Sequence, residues 1–147
     1  PGHARTSAMA DFYNACWSGD IEGVRTRLES ATDVRKLLTT IGGIFGWTPL
    51  FAAAQTGHAE VVTALLSAAD EKFRCELLQT TNTAGQTPFF AAAENGRAEV
   101  VTALLSTADE ELRRELLTSK STNHFGGSST PLHTAAENGH AEVVTAL

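Results

Sequence analysis

The residues best suited to chemistry are two His-Ala-Glu triplets, His58 to Glu60 and His140 to Glu142, two cysteines, Cys16 and Cys75, and the adjacent acids Glu110 and Glu111. A histidine with a carboxylate two residues on can begin a zinc or iron site, but such a site needs three or more convergent ligands. The triplets occupy equivalent places in a repeated segment, 82 residues apart. At about 10 Å for each repeated unit they lie roughly 20 Å from one another, too far to share an ion. Arg97 takes the same place in the intervening unit, which suits a hydrogen-bond donor and not a metal ligand. His58, Arg97 and His140 therefore read as structural donors, and His133 as a further cap or turn donor.

Covalent catalysis fares no better. A nucleophile needs a base within reach and a third group to orient that base, and the repeat places no histidine beside either cysteine. Glu110 and Glu111 open a helix, where acids favour the positive end of its dipole and keep the surface soluble. Gly42-Gly43 and Gly46 lack the lysine that a phosphate-binding loop of the G-x-x-x-x-G-K form requires. The expectation is no enzyme, no cofactor and no metal.

The elements that hold these residues repeat. TPLFAAAQTGHAEVVTALL at Thr48 to Leu66 returns as TPFFAAAENGRAEVVTALL at Thr87 to Leu105 and as TPLHTAAENGHAEVVTAL at Thr130 to Leu147. A degenerate copy precedes them, with Phe12, Ala15, Gly19, Val24 and Leu28 matching Leu50, Ala53, Gly57, Val62 and Leu66. Threonine caps a helix and proline suits its first position, because the donor it lacks would be orphaned there. The glycine ends that helix by reaching the left-handed region without steric cost. A second helix follows with Val61, Val62, Leu65 and Leu66 on its buried stripe. The alanines Ala52, Ala53 and Ala54 let backbones approach, so each unit buries its apolar face against its neighbours.

A third, shorter helix is expected in each complete unit. Asp70 caps one that runs through Leu78, with Phe73 and Leu77 one turn apart and Lys72 with Glu76 as a solvated i,i+4 pair. DEELRRELL repeats the device, and Asp33 to Leu38 supplies it in the first unit. The glycine-to-glycine intervals are 38 (Gly19 to Gly57), 39 (Gly57 to Gly96) and 43 (Gly96 to Gly139) residues. The linker Lys120 to Ser129 absorbs the surplus, since loop closure grows only slowly more costly with length.

Charge narrows the partners. Eleven Lys plus Arg against seventeen Asp plus Glu leave a net charge of -6, and no basic run offers the phosphate contacts that nucleic acid requires. No apolar run reaches the length of a membrane span. Two cysteines in non-equivalent positions are no disulfide framework, and they suit an intracellular, reducing compartment such as the cytoplasm. Residues 1–7 are polar and patternless, a frayed, disordered terminus or a cloning remnant. The final unit stops before its third helix, so an exposed apolar end is expected, and a monomer unless that end pairs.

The pattern G-x-T-P-L-x-x-A-A-x-x-G-H-x-E-V-V-x-x-L-L resembles the ankyrin repeat. Gly46 to Leu66 matches it nearly throughout, as does Gly85 to Leu105, and Thr130 to His133 keeps the TPLH tetrad. The first unit departs most, with Ala10-Asp11 where Thr-Pro would stand. The resemblance implies an all-α, ankyrin-type helical solenoid of four repeats, at about 8–45, 46–84, 85–127 and 128–147, the last incomplete. Its period exceeds the family's roughly 33 residues, and the surplus coincides with the short third helix.

By the same resemblance, residues outside the packing set line a concave strip and the finger loops. The inner helices offer Trp17, Gln55, Thr56, Glu94, Asn95, Glu137 and Asn138. The fingers offer Ile44, Phe45, Trp47, Thr83, Gln86, His124, Phe125 and Ser129. The implied function is a non-catalytic module that binds a partner protein or peptide. The alternative is a structural or regulatory repeat segment of a larger protein, which could be an enzyme whose active site lies elsewhere. Trp47 replaces polar Gln86 and Ser129 at one place in the unit, which favours an aromatic anchor, against packing over the 41–45 loop. Phe125 either presents an aromatic or plugs a groove between units, and Trp17 either binds or shields the first unit's end.

Overall fold

Threonine and aspartate caps divide the chain into its helices. In the computed structural model, which describes residues 11–42, 46–122 and 127–147, helix α1 covers 11–18. It is followed by α2 (Ile21–Ser30), α3 (Val34–Leu38), α4 (Pro49–Thr56), α5 (Ala59–Ser67) and α6 (Glu71–Gln79). Next come α7 (Pro88–Glu94), α8 (Ala98–Thr107), α9 (Glu110–Thr118), a hairpin of β1 (Ser121–Thr122) and β2 (Ser128–Ser129), α10 (Pro131–Glu137) and α11 (Ala141–Ala146). The expectations for residues 1–7, Ile44, Phe45, His124 and Phe125 lie outside the described residues.

The caps form as their spacing requires. Thr48, Thr87 and Thr130 accept through Oγ1 from the amides of Phe51, Phe90 and His133 at 3.2, 3.1 and 3.3 Å. Asp33, Asp70 and Asp109 accept from Lys36, Phe73 and Leu112 at 3.0, 2.8 and 2.8 Å, so the short third helices begin where their aspartates stand. Each such cap contributes about 1 kcal/mol. The extra helices also finish the helices before them. Arg74 donates to the carbonyls of Leu66 and Ala69 at 3.0 and 3.1 Å, and Arg113 to that of Leu105 at 2.6 Å, which ties each third helix to carbonyls at or just past the end of the helix before it.

First helices stack on first helices, α4 on α7 and α7 on α10, and second on second, α2 on α5, α5 on α8 and α8 on α11. Ala53, Ala92 and Ala135 are each 0% exposed, at the seams where bulk would hold the layers apart. Phe51, Phe89 and Phe90 with Leu50, Leu65, Leu78 and Leu104 fill the remaining space. The last unit leaves Leu132 and Val144 48% and 38% exposed, although their counterparts Leu50, Phe89, Val62 and Val101 are buried.

Three expectations need correction. Glu76 does not pair with Lys72: Arg35, from the preceding unit, lies with its guanidinium 4.3 Å above the Phe73 ring and reaches Glu76 Oε2 at 2.6 Å. A planar cation held on an aromatic face is better placed than a mobile ammonium. The His133 ring is not a turn donor, because its Nε2 faces Glu137 Oε1 at 3.0 Å and only its amide serves the turn. The linker 120–129 is not wholly loop, since Ser121 and Ser129 pair across the hairpin.

Candidate recognition strip

The strip is built from the turn that ends each first helix. At Gly57 and Gly96 the backbone turns left-handed, φ +85° and +73°, and the amide of the next residue bonds back to the helix: His58 to Ala53 O at 3.0 Å, Arg97 to Ala92 O at 2.8 Å. The residue after the glycine stands at the N-cap of the second helix, yet its side chain caps nothing there. It reaches the other way. His58 Nε2 lies 3.0 Å from Trp17 O, Arg97 Nε donates to Gln55 O at 3.0 Å, and His140 Nε2 lies 2.8 Å from Glu94 O.

Each unit is thus joined to its predecessor through one carbonyl, always two residues before the glycine. A carbonyl only accepts, so each histidine presents Nε2–H. The structural-donor reading of His58, Arg97 and His140 therefore holds, and the substitution of arginine for histidine is explained by what both can donate. Asn138 adds a bond from Nδ2 to the same Glu94 carbonyl at 3.1 Å.

Because the backbone of Trp17, Gln55 and Glu94 makes the joints, their side chains vary in type at fixed spacing. Trp17 is 41% exposed and stacks on Trp47 of the next unit's finger, centroids 5.2 Å apart and planes at 18°. Trp47 in turn tilts against Phe51 at 5.2 Å. Two residues singled out separately thus form one aromatic row, in which Trp47 packs and Trp17 faces solvent. Ile41, 64% exposed, precedes Gly42, whose amide bonds to Trp47 O at 2.9 Å. Thr56 turns its hydroxyl inward onto Ala52 O at 2.7 Å, and Asn95 spends an N–H on Ala91 O at 2.8 Å.

The fingers differ from expectation at two residues. Ser129 is only 3% exposed; the residue before the capping threonine faces inward across the hairpin and cannot serve as a contact residue. Asn82, which the sequence reading passed over, organises the second finger. Its Oδ1 accepts from the amides of Ala84 and Gln86 at 2.9 and 3.0 Å, and its Nδ2 donates to Gln86 Oε1 at 3.1 Å. Asparagine followed three residues later by glycine was the available signal. Thr83 is exposed and Gln86 half-buried.

The two cysteines stand in different surroundings. Cys16 is buried, and that burial pushes its thiol up to about 12; Cys75 is half-buried between the third helices. Among the described residues no group of three or more His, Cys, Asp or Glu could hold a metal ion, and no helix is long and apolar enough to cross a membrane.

Stacked helical hairpins joined through their turns define a repeat solenoid. The chain belongs to the ankyrin-repeat family: the model for three ankyrin repeats matches residues 12–115, and that for a single ankyrin repeat matches 128–147. No curated protein matches it by sequence. In fold it is similar to a chain in the crystal structure of the yeast ribosomal protein Rps3 in complex with its chaperone Yar1, with a TM-score of 0.73 and 23% identity over 95% of this chain and 89% of that one.

Proposed function

We propose that the chain is a non-catalytic protein-binding module, built of four long-period ankyrin units of which the last is incomplete, and that it takes a partner protein or peptide along the concave strip and fingers. The observation that carries this reading is the Trp17–Trp47 stack. An aromatic row laid over a finger, one ring open to solvent, buries much area on contact at little entropic cost. The joints between units use backbone carbonyls, so strip side chains can change type while the stack stands. The similar fold seen in a complex of two proteins agrees with such a use. The unpaired thiols of Cys16 and Cys75 fit a reducing, intracellular compartment.

The test is an interaction screen with the chain, repeated with Trp47→Ala combined with Glu94→Ala. The specific partner should be lost while helical circular dichroism is retained. Undiminished binding by the double variant would sink the assignment.

A further inference from the structure

The joint between units asks one hydrogen bond of the residue after each turn glycine. His58 and His140 supply it through Nε2, and a neutral imidazole has no second N–H to give. Arg97 supplies it through Nε, which donates to Gln55 O at 3.0 Å, and carries four further N–H groups on Nη1 and Nη2. The arginine is exposed, yet its stem is held in place. It lies directly over Gly57, where an added Cβ would come within 2.8 Å of Cδ and 3.1 Å of Nε. With Nε spent on the carbonyl, the edge left open is the one between the two terminal nitrogens.

Among the described residues Arg97 takes part in no ion pair and in no other side-chain hydrogen bond. Arg25, Arg27, Arg35 and Arg114 each face a carboxylate, and Arg74 and Arg113 close on carbonyls beside the third helices. The two strip residues that precede Gly57, Gln55 and Thr56, are neutral, and Thr56 turns its hydroxyl onto Ala52 O. In a chain of net charge -6, the strip thus holds an oriented guanidinium that no carboxylate of the described residues neutralises.

We propose that the partner of the strip presents an aspartate or glutamate carboxylate to Arg97, an inference that rests on the strip being the binding surface. A carboxylate only accepts, and its two oxygens match two parallel N–H bonds from a guanidinium. Phosphate is typically read by clusters of arginines, and this place in the strip has one. Because Nε is already anchored, the side chain loses little freedom on binding. The joint of His58 to Trp17 and that of Arg97 to Gln55 are one unit apart, about 10 Å. An extended segment rises about 3.3 Å per residue, so the acid falls roughly three residues from an apolar side chain seated on the tryptophans.

The experiment selects a phage-displayed library of random 12-residue peptides against the whole chain and titrates the selected peptides at pH 8. The expected peptides carry Asp or Glu about three residues from an aromatic or large apolar residue. Changing that acid to its amide should weaken binding about ten-fold to the native chain and scarcely to Arg97→His. Histidine keeps the joint, as it does at His58 and His140, and is neutral at that pH. Arg114→His, the same charge change on an exposed position of α9, should bind as the native chain does; an equal loss there would reduce the effect to net charge and overturn the contact. Peptides that lose affinity with Trp17→Ala yet do not depend on the acid would overturn the Arg97 contact and leave the strip standing. Phosphoserine in place of the acid binding more than ten-fold tighter would overturn the carboxylate as the ligand. Peptides indifferent to both Trp17→Ala and Arg97→His, or a library yielding no binder, would overturn strip and contact together. Circular dichroism of each variant separates loss of contact from loss of fold.

Discussion

Gly96→Ala tests the joint between units with an internal control. At Gly96 an added Cβ would lie 2.6 Å from His140 Nδ1, at φ +73°; at Gly85, φ +77°, it would meet nothing within 4 Å. Both variants incur the left-handed strain of an L-residue, roughly 1–2 kcal/mol. Only Gly96→Ala also drives the histidine ring from its bond to Glu94 O, for about 1 kcal/mol more. Gly96→Ala should therefore cost about 2–3 kcal/mol and Gly85→Ala about 1–2 kcal/mol. Urea unfolding followed by circular dichroism reads the difference as a shift in midpoint. His140→Ala should lose about 1 kcal/mol in the native background and almost nothing beside Gly96→Ala, a coupling of about 1 kcal/mol. Equal losses at Gly96 and Gly85, or strictly additive Gly96 and His140 effects, would refute the joint.

Other perturbations follow from the same geometry. Ala92, fully buried, should not accept a larger side chain: Ala92→Leu is expected to lose about 1–3 kcal/mol by overpacking, and an unchanged melting midpoint would show the seam to be misplaced. Arg35→Ala removes a guanidinium lying over Phe73 and bonded to Glu76; because both charged groups are largely exposed, about 1 kcal/mol is expected, shrinking in high salt. Cys16 is raised from 9.0 to about 12 by burial, so folding favours the thiol. Its contribution is whole below pH 9 and is lost as pH rises from there toward 12. Against Cys16→Ala, native stability should therefore fall more steeply above pH 9, by about 1.4 kcal/mol per unit, and parallel curves would contradict the burial.

Helix starts were legible because threonine-proline and aspartate caps act within three residues of themselves, and helix ends because glycine follows. The short third helix was read the same way, from Asp70 and Asp109. What the sequence did not show joins residues far apart along the chain. His58 reaches Trp17, Arg97 reaches Gln55 and His140 reaches Glu94 across more than forty positions, a register set by how the layers stack. The sequence identified these side chains as donors but not their acceptors. Glu76 was assigned to Lys72 one turn away because the competing Arg35 sits in another unit. Ser129 was placed among the finger contacts by its position in the repeat, while the hairpin turns it inward. Trp17 and Trp47 were weighed singly, and only the stacking of the first finger over the turn of the first unit makes them one feature.

Hydroxyl-radical footprinting of the chain with and without a partner recovered by the interaction screen reads the binding face directly. Trp17 and Trp47 should become protected while Cys75, between the third helices on α6, keeps its reactivity. Protection of Cys75 with the tryptophans unchanged would place recognition at the third helices and contradict the strip.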